Sequence, residues 1–173
     1  MTTILLLATI SIWRMGGDIK LSDAPNGANL HTMGGDISVD RAAGKIVAKT
    51  MGGNIDIRAL NGSAEASTMG GEIHVGVDGR AAGRDIDLYS MGGEIELTLP
   101  ADFDGVFTVE LQEGDSNQDH RVISDFPLKM SESTRWHFFG GSRVVRTATG
   151  RIGSGTNRIR ITTIGSDITI RKK

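Results

Sequence analysis

The sequence has 173 residues, of which 38% are hydrophobic and 23% charged, enough for one domain with its own core. It contains 24 glycines but only 3 prolines, and its lack of cysteine excludes disulfide bonds, cysteine-ligated metals and a thiol nucleophile. Residues 1–119 carry 18 acidic and 8 basic side chains, a net charge of −10, whereas residues 120–173 carry 3 and 11, a net charge of +8. This asymmetry predicts that each part faces a partner in a fixed orientation, and the acidic and basic parts could be partners of each other.

A repeated turn dominates residues 1–97. Met-Gly-Gly recurs five times with spacings of 18, 18, 18 and 22 residues, each time followed by Asp, Asn or Glu and then by Ile. Polar and apolar residues alternate on both sides of each turn, which is the pattern of a strand with one buried face. The segment Met1–Ile12 shares this register and is predicted to form the first strands rather than a signal peptide. The predicted repeat turns are Met15, Gly16, Gly17, Met33, Gly34, Gly35, Met51, Gly52, Gly53, Met69, Gly70, Gly71, Met91, Gly92 and Gly93.

A unit of strand, turn, strand and turn makes one coil, and stacked coils lie about 4.8 Å apart in parallel ladders. The fold prediction is therefore an all-β, single-stranded β-solenoid, of the β-helix or β-roll type, with 18-residue two-strand coils. Gly-Gly is expected at the turns because glycine adopts positive φ without steric cost. Small residues, among them Ala28, Ala48, Ala64 and Ala66, are expected to face bulky aliphatic residues of the opposite wall across a thin core.

The C-terminal part departs from the repeat but keeps its strand character. We predict one domain, residues 1–173, in which regular coils at 1–97 are followed by wider, aromatic-rich coils at 98–173. A degenerate sixth copy at 159–170 closes the chain, and its last strand is expected to form one end of the stack. The glycine-rich run 150–155 lacks the lysine and helix of a phosphate loop and is predicted to be a turn. The aromatic residues expected to thicken this core are Phe103, Phe107, Phe126, Trp136, Phe138 and Phe139.

The Met-Gly-Gly-Asp-Ile units, together with LTLPADFDG, SDFPL and the closing GRIGSGTNRIRITTIGSDITIRKK, resemble a family of bacterial and archaeal adhesin-like β-strand-repeat domains of unknown function. The resemblance covers nearly the whole chain. It implies a β-solenoid, often in envelope-associated or exported proteins, and it supplies no catalytic residues to carry over.

Three columns of side chains are expected to stack beside the turns. The acidic column is interpreted as a solvated corner rather than a calcium site, because the Gly-Gly-x-Gly-x-Asp unit of calcium-binding solenoids is absent. The methionine column is interpreted as flexible packing rather than as a thioether metal site, because Ile164 takes its place in the sixth copy. The hydroxyl column of Thr32, Thr50, Thr68 and Ser90 is expected to form hydrogen bonds at the corner rather than a flat ligand-binding array.

The four histidines have no metal-ligand spacing and are predicted to be isolated surface residues, so no catalytic residue, cofactor or metal is assigned. Basic residues near the C-terminus could face an anionic polysaccharide or lipid, but few aromatic residues lie among them, which argues against nucleic acid.

The leading functional hypothesis is a non-enzymatic, adhesin-like structural protein that self-assembles head to tail into filaments at the cell surface, with no transmembrane segment. The alternative is a monomeric module that binds a cell-wall glycan or an envelope protein. The expected location is extracellular or the cell envelope.

Overall fold

The computed structural model describes residues 9–79, 82–113, 120–137 and 141–173, with the side chains of 135–137 and 141–143 left out. The predicted strands of residues 1–8, and Phe138 and Phe139, lie outside the described residues, as does the side chain of Trp136. In the described part, all regular structure is β-strand, which confirms the predicted fold class.

The strands, in chain order, are β1 (Ile10–Arg14), β2 (Ile19–Leu21), β3 (Ala28–Thr32), β4 (Ile37–Ala42), β5 (Ile46–Lys49), β6 (Ile55–Leu60), β7 (Ala64–Thr68), β8 (Ile73–Val77), β9 (Asp85–Ser90), β10 (Ile95–Leu99), β11 (Gly105–Gln112), β12 (Val122–Ser124), β13 (Lys129–His137), β14 (Gly141–Ile152), β15 (Asn157–Ile164) and β16 (Ile168–Lys172).

The strands form two facing sheets. One has the order β1-β3-β5-β7-β9-β15-β11-β14-β13 and the other the order β2-β4-β6-β8-β10-β16-β12. Consecutive coils pair in parallel and in repeat register, so that Ile37 lies beside Ile55 and Ile55 beside Ile73. Residues at equivalent positions of the sequence repeat therefore lie beside each other in adjacent coils.

The core lies between the two sheets. Ala48, Ala64 and Ala66 are buried beside the fully buried Ile55 and Ile57, as the alternation of small and bulky residues predicts. In the C-terminal part Phe103, Phe107 and Phe126 are buried and contact one another through Phe107, with ring centroids 6.1 and 5.4 Å apart. These three phenylalanines widen the core as expected.

The order of coils in space differs from their order in sequence. Strands β15 and β16, the sixth copy, lie against β9 and β10 on one side and against β11 and β12 on the other. The expectation that the last strand forms an end of the stack is therefore wrong. The sixth copy pairs with the fifth because it has the same alternation, with Ile159 beside Ile86 and Ile168 beside Ile95.

Strands β13 and β14 form an antiparallel hairpin rather than a wide coil. His137 pairs with Gly141, so only three residues separate the strands, whereas a parallel crossover needs a dozen or more. The hairpin continues the first sheet because β14 also pairs antiparallel with β11. Strand character was predicted for this part of the chain, but not the antiparallel direction of its strands.

The charge asymmetry is partly neutralised within the chain. Arg158 and Arg160 of β15 lie 3.2 and 3.4 Å from Asp85 and Asp87 of β9. In the second sheet Arg171 of β16 similarly lies 3.3 Å from an acidic side chain of β10. These pairs are exposed and each contributes at most about 1 kcal/mol, but together they match the basic last coil to the acidic fifth coil.

In four of the five Met-Gly-Gly turns, at Gly35, Gly53, Gly71 and Gly93, the second glycine is required by close approach and not by its φ angle. Of the ten turn glycines only Gly17 has positive φ, so the predicted reason is wrong at the other nine. A Cβ atom on Gly53 would lie 2.1 Å from the carbonyl oxygen of Gly35 in the preceding coil. The first glycine is different, since a Cβ atom on Gly52 would meet nothing within 4 Å.

The glycine-rich run before β15 is a turn, as predicted, and it encloses a carboxylate of its own chain. Asp104 accepts hydrogen bonds from the backbone N–H groups of Ser154 and Thr156, at 2.9 and 2.8 Å, and from the Ser154 hydroxyl. The Ser154 hydroxyl first, and then the Thr156 N–H, hold the pKa of the Asp104 carboxyl well below its ordinary value of 3.8. Positive φ at Gly153 and Gly155 lets the turn wrap around this group.

We predict that Gly53→Ala lowers the free energy of unfolding by about 2 kcal/mol or more, because its Cβ atom would overlap the Gly35 carbonyl. Gly52→Ala is the matched control and should change it by less than about 0.5 kcal/mol. Urea unfolding of both variants measures the difference. Equal losses would contradict a requirement based on close approach.

Asp104→Asn should destabilise the protein at pH 7, because the amide cannot accept all the hydrogen bonds that the carboxylate accepts. The native carboxylate has a lowered pKa, so its contribution is fully present above the unfolded-state pKa and declines as the pH falls between about 5 and 2. The difference in Tm between wild type and variant should therefore shrink over that range. The exposed Asp23→Asn serves as control, and a difference independent of pH would contradict the assignment.

Candidate functional site

The five repeat methionines lie on the surface, one above another, at one corner of the solenoid. Their side chains are between 42% and 86% exposed. The interpretation of this column as packed into the corner is therefore wrong. We call the five side chains the methionine corner: Met15, Met33, Met51, Met69 and Met91.

A second column runs beside the methionine corner on the outer face of the first sheet. Its members each lie two residues before a repeat methionine and are paired from strand to strand along the sheet. Trp13 is 74% exposed, and its ring stacks on that of His31 with centroids 4.0 Å apart and an interplanar angle of 8°. We call this set the outer column: Trp13, His31, Lys49, Ser67 and Tyr89.

The two columns enclose a groove at the N-terminal end of the corner. Its volume is about 360 Å³, and it is lined mainly by Trp13, Met15, His31, Met33 and Met51. The lining combines apolar thioether side chains and one aromatic stack with two cationic side chains, Arg14 and Lys49. This is the type of surface that binds apolar groups.

Buried hydroxyl groups lie directly beneath the methionines. The Thr50 hydroxyl donates to the Gly35 carbonyl at 2.9 Å and accepts from the Gly53 N–H at 3.3 Å. Thr68 and Ser90 repeat this arrangement in the next two coils. Hydrogen bonding at the corner is therefore confirmed, and because the threonines fill the inner side, the adjacent methionines are directed outward.

The acidic column on the other side of the turns is used to hold the coils together. Asp36 accepts the Asn54 backbone N–H at 2.8 Å, and Asn54 in turn accepts the Glu72 N–H at 2.8 Å. Asp18 accepts the Asp36 N–H at 3.1 Å in the same way. Oxygen acceptors are therefore needed at this position, which explains why Asp and Asn both occur there.

The histidines lie in separate places. The nearest nitrogen of His74 is 3.7 Å from Glu96, and that of His120 is 3.6 Å from Asp167, while His31 belongs to the outer column. Within the described ranges, no three His, Cys, Asp or Glu side chains converge on a point where a metal ion could bind. The side chain of His137 lies outside the described set.

Sequence reasoning missed the outer column. It treated the histidines as isolated surface residues and compared only the apolar positions of the repeat. Trp13, His31 and Tyr89 nevertheless occupy the same repeat position, two residues before the methionine, where strand alternation directs a side chain outward. Aligning the polar positions of the repeat, and not only the apolar ones, would have found them.

The described part of the chain has no helix that is long and apolar enough to cross a membrane.

Comparison with known proteins gives a family but no individual relative. A search of curated proteins and a search of solved structures each found no match. The sequence matches the family described as Toastrack DUF4097 over residues 2–171, nearly its whole length. The chain therefore belongs to the Toastrack family DUF4097, a family with a repeat-type β fold.

Proposed function

We propose that this protein is a non-catalytic binding module that presents the methionine corner to an apolar segment of a partner protein. The observation that carries the proposal is the exposure of five methionines in consecutive coils, each at least 42% exposed. Single exposed apolar residues are common on protein surfaces, but contiguous apolar patches mark interaction sites. Methionine suits such a site because its flexible, polarizable side chain adapts to different partners.

The size of the corner favours a short extended segment as its occupant. Five stacked coils span about 19 Å, the length of about six residues of extended chain. A stable dimer needs about 800 Å² from each partner, and one row of side chains with its neighbouring column offers only a few hundred. The corner therefore fits a peptide segment better than it fits a second copy of the same chain.

The outer column presents different side chains to a bound segment at different coils. Trp13 and His31 lie at one end of the outer column, Lys49 lies in its middle, and the half-buried Tyr89 lies at the fifth coil. A segment lying along the methionines would meet an aromatic side chain near both ends. The adhesin-like and envelope-associated character that the sequence resemblance implies is consistent with such a partner and is part of this proposal.

A second candidate is the head-to-tail filament. Within the described residues, β1 pairs only with β3, and β2 only with β4, so each has an open edge on its other side. Open edges invite pairing with another chain. At the opposite end the edge of the second sheet is β12, which has only three residues.

We predict that Met51→Lys weakens binding to an apolar peptide at least tenfold, because a charge would lie at the centre of the corner. The probe is a peptide selected on the wild-type protein from a random heptapeptide library displayed on phage, with affinity measured by titration calorimetry. Met130→Lys is the matched control, since Met130 is 58% exposed on β13, away from the corner. Equal binding by both variants, or selective binding of cell-wall oligosaccharides instead of peptides, would contradict the proposal.

The two candidates differ in assembly. Negative-stain electron microscopy of the purified protein at low and high salt should show discrete short rods under both conditions if the protein acts as a separate module. Filaments that dissolve at high salt would support the second candidate instead, because exposed charge contacts weaken as salt increases.

A further inference from the structure

We propose that the N-terminal end of the methionine corner binds a soft monovalent cation of the Cu(I) or Ag(I) type through the thioethers of Met15 and Met33 and the imidazole of His31. This inference goes beyond the proposed peptide-binding function and does not depend on it. The groove of about 360 Å³ that Trp13 and these three side chains line would be the metal site.

The coil spacing suits two thioether ligands. Arg14 and Thr32 are paired partners in β1 and β3, so the residues that follow them, Met15 and Met33, lie on adjacent coils about 4.8 Å apart. Because methionine side chains are long and flexible, two of them on adjacent coils can bring both sulfur atoms to one ion.

The third ligand is held in place by an aromatic stack. The indole of Trp13 covers one face of the His31 ring, at a centroid distance of 4.0 Å. Stacking covers a ring face but leaves the ring nitrogens at the edge, and their lone pairs lie in the ring plane. The stack therefore orients His31 without blocking its ability to bind a metal.

Two cationic side chains, Arg14 and Lys49, also line the groove. Lys49 is itself paired with Glu65 at 2.7 Å, and Arg14 is exposed beside the turn, so a monovalent cation meets less repulsion here than a divalent one.

The competing oxygen groups near the groove already form hydrogen bonds. The Thr32 hydroxyl donates to the Gly17 carbonyl at 3.0 Å, and an oxygen of Asp18 accepts the Asp36 N–H at 3.1 Å. Thioethers and one imidazole are therefore the principal donors facing the groove, and soft donors of this kind select Cu(I) over hard cations. The isoleucine of the sixth copy lies in β15, beyond the fifth coil, and has no bearing on a site in the first two coils.

The test is an anaerobic titration of the full chain with Cu(I) against a chromogenic Cu(I) chelator, repeated with Ag(I) by calorimetry. Wild type should bind about one ion per chain. Met33→Leu and His31→Gln should each weaken binding at least tenfold, whereas Met91→Leu, at the far end of the same corner, should leave it unchanged.

Leucine preserves the apolar surface and removes only the sulfur atom, so Met33→Leu tests the thioether as a ligand. The titration contains no peptide, so a failure of metal binding is distinguished from a failure of peptide binding. The assignment is overturned if wild type does not compete with the chelator, or if Met33→Leu and Met91→Leu reduce Cu(I) affinity equally.

Discussion

The close approach of successive coils at the Met-Gly-Gly turns is the constraint on which the rest of the structure depends. At Gly53, Gly71 and Gly93 a Cβ atom would lie about 2 Å from a carbonyl oxygen of the preceding coil, between 1.9 and 2.1 Å. No side chain fits at these three positions, so these turns require glycine there. The same approach brings each corner hydroxyl within reach of the preceding carbonyl, so that the turns are joined by buried hydrogen bonds.

The exposure of the methionines follows from this constraint. The inner side of the corner is filled by Thr50, Thr68 and their equivalents, and the residue after each hydroxyl must point away from it. The methionine side chain therefore contributes little to the stability of the fold, in contrast to the glycine two residues later. The recurrence of an exposed apolar residue at this position in five coils is the observation that supports the proposed binding role.

Much of the fold could be predicted from the sequence because the repeat has the same period in sequence and in space. The alternation that predicted strands around Ile55 and Ile73 is the alternation of buried and exposed side chains in β6 and β8. The position of β15 between β9 and β11 could not be predicted in this way. More than sixty residues separate the fifth and sixth copies in the sequence, and an 18-residue period does not indicate that the two copies are neighbours in the sheets. The direction of the β13–β14 hairpin depended on the length of its connection, which the sequence reasoning did not use.

Only part of the candidate site could be predicted from the sequence. The methionines were found as a column, but the column was interpreted as flexible packing because the sixth copy has Ile164 at the same position. Thr68 is buried and the next residue, Met69, is exposed, so strand alternation continued by one position would have placed the methionine outside. Trp13 and His31 are single occurrences in a variable column, so only their pairing in β1 and β3 shows that they stack.

The most direct test of the central claim is oxidation of the folded protein by dilute peroxide, followed residue by residue with mass spectrometry. The account predicts that all five corner methionines are oxidised at rates similar to that of the exposed Met130, and that a bound apolar peptide protects the five but not Met130. Slow oxidation of the five without any ligand would mean that they are packed inside the protein, and the methionine corner could not then be a binding surface.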